Sequence, residues 1–391
     1  MRRAIELGWR GIGRNSPNPL VGCVIVRAGE IVGEGFHLFA RIDHAEVIAL
    51  KAAGEKAKGA TAYVSVEPCC HTGRTPPCCT ALAEAGIARV VYGMRDPDPR
   101  VNGGGHMAIE AAGIEVIGGV LEDEVRDQNR FFVTVHEKGR PYVLLKWAMT
   151  LDGKIATRTG ASKWISSESS RNIAHHLRNI FDAVLVGHVT VLTDDPQLSC
   201  RVDLSRPLPR EIFPSAPTDV RHPTRVIVDA FSSTFTEDHK VFQQPGRTIV
   251  AVAPQTDWED SSARHAVERD KVELIECPLT GGHIDLFHLL RELKNRGVNS
   301  VLVEGGGGIH AAFLEKGLAD EVAAFVAPKI FAGDSAPSPV AGAGIEAVAD
   351  AWNLTDVRHI SIENIENDVL VMGRILKRPE DTEPSGQEGA D

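Results

Sequence analysis

Short apolar runs of strand length alternate with Ala-, Glu- and Lys-rich stretches through the first part of the chain, and this alternation predicts an α/β domain. Val21–Val26 and Glu30–Phe36 read as strands joined by the turn Arg27-Ala28-Gly29. His44–Ala57 is built from good helix formers. A strand at Thr61–Val66 and a helix at Thr80–Ala85 follow, the helix stopped by Gly86. Then come a strand at Val90–Met94, a helix opening near His106, a strand at Ile114–Ile117 and a helix from about Leu121.

The pattern breaks at His136-Glu-Lys-Gly-Arg-Pro141, whose polar residues, glycine and proline predict a domain boundary. A second α/β series begins there. Tyr142–Ala148, Ala183–Val186, Arg225–Asp229, Thr248–Val252, Ser300–Glu304 and Glu321–Val326 read as strands. Glu168–Arg178, Asp285–Arg296 and Ile309–Lys316 read as helices. Arg201–Pro223 holds five prolines and no apolar period, and so predicts a long loop. Arg378–Asp391 has no large apolar residue and predicts a disordered tail. The expected organisation is therefore one domain over 1–139, a second over 140–377 and a tail over 378–391, with no internal repeat.

A length of 391 residues leaves room for two or three domains, and 43% hydrophobic residues is ordinary globular composition. No apolar run reaches the roughly 18–20 residues of a membrane helix. The first residues lead into Glu6 and Gly8 rather than a signal-peptide core, so a cytoplasmic location and no membrane partner are expected. A net charge of −11 argues against nucleic acid, whose backbone calls for a basic surface. Seven cysteines in 391 residues, an odd count, do not make a disulfide scaffold. Four of them crowd into Cys69-Cys70 and Cys78-Cys79, which points to metal or catalysis.

The strongest chemical pattern is His44-Ala-Glu46, then Glu67-Pro-Cys69 and, after eight intervening residues, Cys78. One imidazole and two thiolates suit zinc and leave a fourth position for water, whose pKa the ion lowers toward neutrality. Glu46, two residues from His44, is placed to move a proton from that water to a leaving nitrogen. His-x-Glu followed by Pro-Cys is the pattern of the zinc-dependent deaminases. The alternative is a closed structural site of four thiolates. Adjacent cysteines rarely bind one ion together, so Cys70 and Cys79 read as packing residues.

Glu67-Pro-Cys-Cys-His-Thr-Gly-Arg-Thr-Pro-Pro-Cys78 resembles the long zinc loop of the bifunctional riboflavin-biosynthesis deaminase/reductase family. Asn18-Pro19 with Val21-Gly22, Gly33-Glu-Gly-Phe-His37 and Asp96-Pro-Asp-Pro99 match the same family's deaminase half. The chain departs from it at Ile48, Arg41 and Asp98, where the family often has His, Gly and Asn. The resemblance implies a cytidine-deaminase-like three-layer domain, zinc on His44, Cys69 and Cys78, and Glu46 as the catalytic carboxylate. It also implies that Asn18, His37, His71, Arg74 and Asp96 line the substrate pocket. Taken alone, His37 reads as a strand-end histidine and Arg74 as a solvated loop charge.

After residue 140, five pieces stand out: Lys146-Trp-Ala-Met-Thr-Leu-Asp-Gly-Lys154, Ser162-Lys-Trp-Ile165, His176-Leu-Arg178, Asp182-Ala-Val-Leu-Val-Gly187 running on through Thr190 to Asp194-Asp-Pro-Gln-Leu198, and Val301-Leu-Val-Glu-Gly-Gly-Gly-Gly308. Glycines between a strand and a helix let backbone approach a phosphate, and the helix N-terminus favours the anion. A plain flexible turn accounts for the glycine run equally well. Together the pieces resemble the reductase half of the same family, which implies a dihydrofolate-reductase-like α/β domain using NADPH. The resemblance puts Ala148, Trp164, Thr190, Asp194, Gly306, Gly307 and Gly308 on the cofactor. It puts Ser162, Arg178, Leu198, Arg201 and Glu304 on the substrate, with Lys146 near the carbon that receives hydride.

The activity so implied is zinc-dependent hydrolytic deamination of 2,5-diamino-6-(5-phosphoribosylamino)pyrimidin-4(3H)-one, followed by NADPH-dependent reduction of the ribosyl to a ribityl side chain. One zinc ion per chain, a phosphorylated pyrimidine substrate and a homo-oligomer, dimer or tetramer, complete the expectation. The rival readings are a nucleoside or tRNA deaminase with an unrelated appended domain, and a non-catalytic zinc-stabilised binding protein.

Overall fold

The computed structural model describes residues 1–73, 75–235, 239–254, 272–362 and 367–376, so the expected tail over 378–391 lies outside the described residues. The chain forms two compact units. One comprises Met1–Pro141 with Pro207–Asp219 and Leu293–Asn299, and the other Tyr142–Arg206, Val220–Glu292 and the chain from Ser300 onward.

In the first unit, β1 (Gly22–Arg27), β2 (Glu30–Phe36), β3 (Thr61–Val66), β4 (Arg89–Met94) and β5 (Glu115–Ile117) form one sheet in the order β2-β1-β3-β4-β5. β1 is antiparallel to both neighbours, whereas β3, β4 and β5 are parallel. Side chains alternate across a strand, and β1 divides accordingly. Cys23 and Ile25 pack with Ala45, Ala49, Leu82 and Ile109, which come from helices Ala45–Ala53, Cys78–Glu84 and Gly104–Ala111. Val24 packs with Ala4 and Leu7 of the helix Arg2–Trp9. Helices on both faces of one sheet give three layers, as expected. Arg2–Trp9 itself is not among the elements the pattern predicts, because its eight residues carry too short an apolar stripe to stand out.

The glycines of Gly33-Glu-Gly35 have a packing role. A Cβ on Gly35 would fall 2.2 Å from the Ala45 carbonyl oxygen, and one on Gly33 would fall 2.2 Å from that of Ala49. The helix Ala45–Ala53 therefore lies almost in contact with β2. This seats His44, its N-cap residue, against the sheet.

Arg201–Pro223 contains neither helix nor strand, in keeping with the proline count. Its Phe213 is buried in the first unit, edge-on to Trp9 at 6.2 Å and to Phe131 at 6.4 Å, with the Arg130 guanidinium 4.9 Å from its ring centre.

The second unit is a nine-stranded sheet. Its strands are β6 (Tyr142–Thr150), β7 (Ala183–Gly187), β8 (Thr224–Val228), β9 (Thr248–Val252), β10 (Val272–Glu276), β13 (Ser300–Val303), β14 (Glu321–Ala327), β15 (Leu354–Ser361) and β16 (Val369–Ile375), while β11 (Leu279–Thr280) and β12 (His283–Ile284) form a separate hairpin. The order is β10-β9-β8-β7-β13-β6-β14-β16-β15, parallel from β10 to β14, with β16 and β15 added antiparallel. Every residue of β9 and β13 is buried, as parallel strands covered on both faces require. The pattern predicts six of these nine strands and misses β10, β15, β16 and the helix His188–Asp194. Among the described residues, no helix is long and apolar enough to cross a membrane.

Gly35→Ala should lower stability by roughly 1–3 kcal/mol, the usual cost of forcing a methyl group into packed backbone. Because the displaced helix begins at His44, zinc content should fall with it. Thermal unfolding and metal analysis of the one variant check both outcomes, and an unchanged protein would show that this helix can retreat without loss.

Candidate active sites

Three local features bring the first site together. β3 runs out into Glu67-Pro68-Cys69, His44 caps the helix Ala45–Ala53 in extended backbone, and Cys78 opens the helix Cys78–Glu84. His44 Nδ1 lies 3.2 Å from Cys78 Sγ and 3.6 Å from Cys69 Sγ, and all three ligand atoms lie within 4.8 Å of one another. Zinc–sulfur bonds of about 2.3 Å and zinc–nitrogen bonds of about 2.0–2.1 Å set nitrogen and sulfur about 3.6 Å apart at a tetrahedral centre. The observed spacing fits that ion. Among the described residues this is the one group of three or more His, Cys, Asp or Glu side chains able to hold a metal, and it includes neither Cys70 nor Cys79. Cys79 Sγ instead donates to the Pro68 carbonyl at 3.4 Å, and Cys70 packs partly buried on the core.

Charge at this site is controlled locally. Hydrogen bonding with Cys78 holds the Cys69 thiol well below its ordinary value against the opposing effect of burial, with further help from His44 and the Cys78 amide. That amide donates to Cys69 Sγ at 3.4 Å. Glu46 is 3% exposed, and burial, then the Cys69 charge, pushes its carboxyl upward.

Glu67 is a structural residue that motif reading passed over. Its Oε1 accepts from the His106 amide at 2.9 Å, and its Oε2 accepts from the amides of Gly103 at 3.0 Å and Asp96 at 3.3 Å. One carboxylate thus ties the zinc loop to the Asp96–Pro99 turn and to the start of the helix Gly104–Ala111. Its signal was its place directly before Pro68-Cys69.

The expected substrate residues are placed as follows. Asn18 Nδ2 meets His37 Nε2 at 3.0 Å, and the His37 ring lies 5.1 Å from that of His44. His37 Nδ1 is 3.1 Å from the Asp43 carbonyl, so this histidine is held on both sides. Asp96 is buried and pushed up to about 7, chiefly by desolvation. His71 is half-buried, with an unpartnered, buried Nδ1. Arg74 lies outside the described residues. Asp98, where the family often has Asn, carries its own counter-ion, because Arg100 Nε donates to Oδ2 at 2.9 Å.

In the second unit a cleft of about 150 Å³ opens where β6 and β13 end. Ala148, Thr190, Asp194, Glu304 and Gly306 line it, as do Lys146, Trp147 and His310. Ser162, Trp164, Arg178, Leu198 and Arg201 are not among its walls. Lys146 shares a face of β6 with Ala148, two residues on, which is the signal for its position.

At the mouth of the helix Gly307–Glu315, the Gly306 amide donates to Thr190 Oγ1 at 3.2 Å. A Cβ on Gly305 would strike Ile309 at 2.1 Å, and one on Gly307 would strike the Ser338 carbonyl at 2.8 Å. One on Gly306 would meet only Thr190 Oγ1 at 3.7 Å, and one on Gly308 nothing within 4 Å. The open space at Gly306 and Gly308, beside backbone amides, fits a dinucleotide phosphate. Burial, outweighing Lys163, raises the Asp194 carboxyl.

Arg178 forks onto Glu304, with Nε to Oε1 and Nη2 to Oε2 both 2.7 Å, while Nη1 donates to the Ser199 carbonyl at 3.0 Å. Lys146 Nζ adds a contact with Glu304 Oε2 at 3.7 Å. Burial opposes the Glu304 charge, but Arg178 and Lys146 overcome it and hold the carboxyl at about 2. Arg201 donates to Gln197 Oε1 at 2.5 Å and to Ser199 Oγ at 3.0 Å. Burial and the neighbouring Arg178 lower its pKa. Ser199 therefore stands between the two arginines. Leu198 has φ +52°, and its side chain is in the core with Val184, Val186 and Ile227, so only its backbone is free to meet a ligand. Ser162 is half-buried, and Trp164 is 65% exposed with the Arg171 guanidinium 4.5 Å above its ring.

Residues 141–371 match the RibD C-terminal domain, and residues 1–94 match the cytidine and deoxycytidylate deaminase zinc-binding region. The chain is 41% identical over 364 residues to riboflavin biosynthesis protein RibD of Escherichia coli (strain K12), covering 92% of this chain and 95% of that one. Among solved structures, Acinetobacter baumannii RibD is similar at 36% identity with a TM-score of 0.82, covering 96% of this chain and 98% of its own. A diaminohydroxyphosphoribosylaminopyrimidine deaminase/5-amino-6-(5-phosphoribosylamino)uracil reductase from Thermotoga maritima is similar at 38% identity with a TM-score of 0.78, covering 96% and 97%.

Metal analysis of four serine variants tests the ligand set. Cys69→Ser and Cys78→Ser should each release zinc, whereas Cys70→Ser and Cys79→Ser should retain it. Metal loss on Cys70→Ser would restore the four-thiolate alternative.

Proposed function

The chain belongs to the riboflavin biosynthesis protein RibD family, and from that premise we propose which of its residues carry each of the two reactions. The protein is a bifunctional enzyme of riboflavin biosynthesis. It deaminates 2,5-diamino-6-(5-phosphoribosylamino)pyrimidin-4(3H)-one by hydrolysis and then reduces the ribosyl group to ribityl, with zinc and NADPH as its cofactors. In our assignment the deaminase occupies residues 1–139 and the reductase 140–377. The observation that carries the assignment is the convergence of His44, Cys69 and Cys78 beside the buried Glu46.

His44, Cys69 and Cys78 hold the zinc, which when bound makes water acidic enough to serve as nucleophile near neutral pH. Glu46 would take a proton from the attacking water and deliver it to the departing amino group, so that ammonia leaves and the ring carbon keeps the oxygen. Its burial keeps the proton from bulk solvent. Asn18, His71 and Asp96 contact the pyrimidine substrate, and the Asn18–His37 pair, seated beside His44, supports that role.

In the reductase, Ala148, Trp164, Thr190, Asp194, Gly306, Gly307 and Gly308 hold NADPH, whose nicotinamide supplies hydride to the sugar carbon. Ser162, Arg178, Leu198, Arg201 and Glu304 hold the substrate, and Lys146 stands near that carbon. Arg178 and Arg201, with Lys146 whose pKa burial lowers, gather around the carboxylate of Glu304. A phosphate monoester carries about −1.5 to −2 at neutral pH. Arg201 is the direct partner in this reading. Three of the N–H groups of Arg178 are committed to Glu304 and Ser199, so it works by fixing them. A cytoplasmic location, supported by seven free cysteines, and a homo-oligomer, supported by exposed Leu151 and Ile330, complete the proposal.

Glu46→Gln should retain zinc but lose roughly 10²–10⁴-fold in deamination, while the reductase still accepts substrate deaminated beforehand. Retained deamination would remove Glu46 from its role. Arg201→Ala should raise the reductase KM by about ten- to a hundredfold, as expected for losing a charge-assisted contact of roughly 1.5–3 kcal/mol, with NADPH affinity unchanged. Arg178→Ala should also lower the melting temperature, because it strips Glu304 of its main counter-ion. Normal kinetics with only a lower melting temperature would make Arg178 purely structural.

A further inference from the structure

Arg171, His175 and Arg178 stand at i, i+4 and i+7 of the helix Glu168–Ile180, and so share one face. His175 thus stands on this face between Arg171, which covers Trp164, and Arg178, which holds Glu304. Burial, followed by Arg178 and Arg201, pushes the His175 pKa down to about 3. Glu304 and Lys146 are also close enough to act on it. The ring is therefore neutral at physiological pH and carries one proton.

The position of that proton is fixed by the backbone. The Arg201 amide donates to His175 Nδ1 at 3.2 Å. A ring nitrogen that accepts a hydrogen bond carries no proton, so the proton sits on Nε2. Nε2 has no partner among the described residues. The neighbouring His176 differs, because its Nε2 is spent on the Arg206 carbonyl at 2.9 Å. His175 thus presents a free, neutral N–H donor next to two guanidinium groups. One of these, Arg178, already has three N–H groups occupied by Glu304 and Ser199.

We propose that His175 is a specificity-determining residue of the reductase, donating from Nε2 to the phosphate of the ribosyl substrate. This rests on the reading that the arginine end of the site takes that phosphate. A phosphate dianion offers more acceptor sites than Arg201 alone can fill. A neutral donor supplies one more contact without adding a further positive charge beside the two guanidinium groups.

The rival role is a brace, with Nδ1 merely holding the Arg201 backbone. Two substitutions separate the functions. His175→Asn keeps an acceptor near the Nδ1 position and removes the Nε2 donor, whereas His175→Gln keeps a donor near Nε2 and removes the acceptor. The readout is kcat/KM for the deaminated substrate divided by kcat/KM for the same compound after enzymatic dephosphorylation, with NADPH affinity as the check on folding. His175→Asn should lower this phosphate preference about tenfold, in line with one hydrogen bond to a charged group, and His175→Gln should change it less than about threefold. The reverse order would overturn the proposal in favour of the brace, as would equal loss in both. Arg201→Ala runs alongside. If it leaves the phosphate preference intact, the phosphate reading of this end of the site has itself failed. If it lowers the preference while His175→Asn does not, the failure belongs to His175 alone.

Discussion

Glu67 and Glu304 each stand one residue beyond the end of a parallel strand, β3 and β13, with the carboxylate shielded from solvent. A buried carboxylate without donors is too costly to keep charged, so the chain around it must supply them. Ligand sites in open α/β sheets lie outside the carboxyl ends of the strands, and here the groups that answer each carboxylate are also the framework of a site. Glu67 is met by three backbone amides, which fix the zinc loop against the Asp96–Pro99 turn. Glu304 is met by Arg178 and Lys146, which gather around the cleft.

The difference between amides and cations follows from what each site must hold. The first holds a metal cation between two thiolates, and a fixed ammonium or guanidinium there would compete with the ion for them. Amides satisfy Glu67 without adding a formal charge. In the proposed function the second site takes an anion. In that reading the cations left over from Glu304 attract the ligand, and the pKa of Arg201, lowered first by burial, is lowered further by the neighbouring Arg178. In the same reading a phosphorylated substrate would relieve the repulsion between the two arginines, while an unphosphorylated one would leave it standing. Discrimination is strong where rejecting the wrong substrate leaves polar groups unpaired.

The chemistry was more legible in the sequence than the architecture. His44, Glu46, Cys69 and Cys78 are tied to fixed spacings by the metal they share, so their pattern survives reading without a structure. β10 and β15 were hidden because charged residues interrupt them, and β16 because a continuous apolar run does not by itself distinguish strand from buried helix. Arg178 was legible as a site residue but its principal partner was not. The fork onto Glu304 joins positions 126 residues apart, and no local pattern encodes it. The resemblance assigns Leu198 to the substrate, and in the fold its backbone has φ +52° while its side chain packs in the core.

The glycine run shows why a motif is only part of a physical argument. As letters, Gly305 to Gly308 are one signal. In the fold they are two pairs. Gly305 and Gly307 are glycine because neighbouring atoms already occupy the space of a Cβ, a requirement of packing that would hold with no ligand at all. Gly306 and Gly308 face open space, so packing does not forbid a side chain there. In the proposed function these two border the cofactor phosphate at the helix mouth, and they are the part of the motif that concerns it. A flexible turn and a phosphate cradle are therefore not competing explanations of one sequence. They differ only at Gly306 and Gly308, where an added methyl group would cost the fold little and, in the proposed function, a bound dinucleotide much.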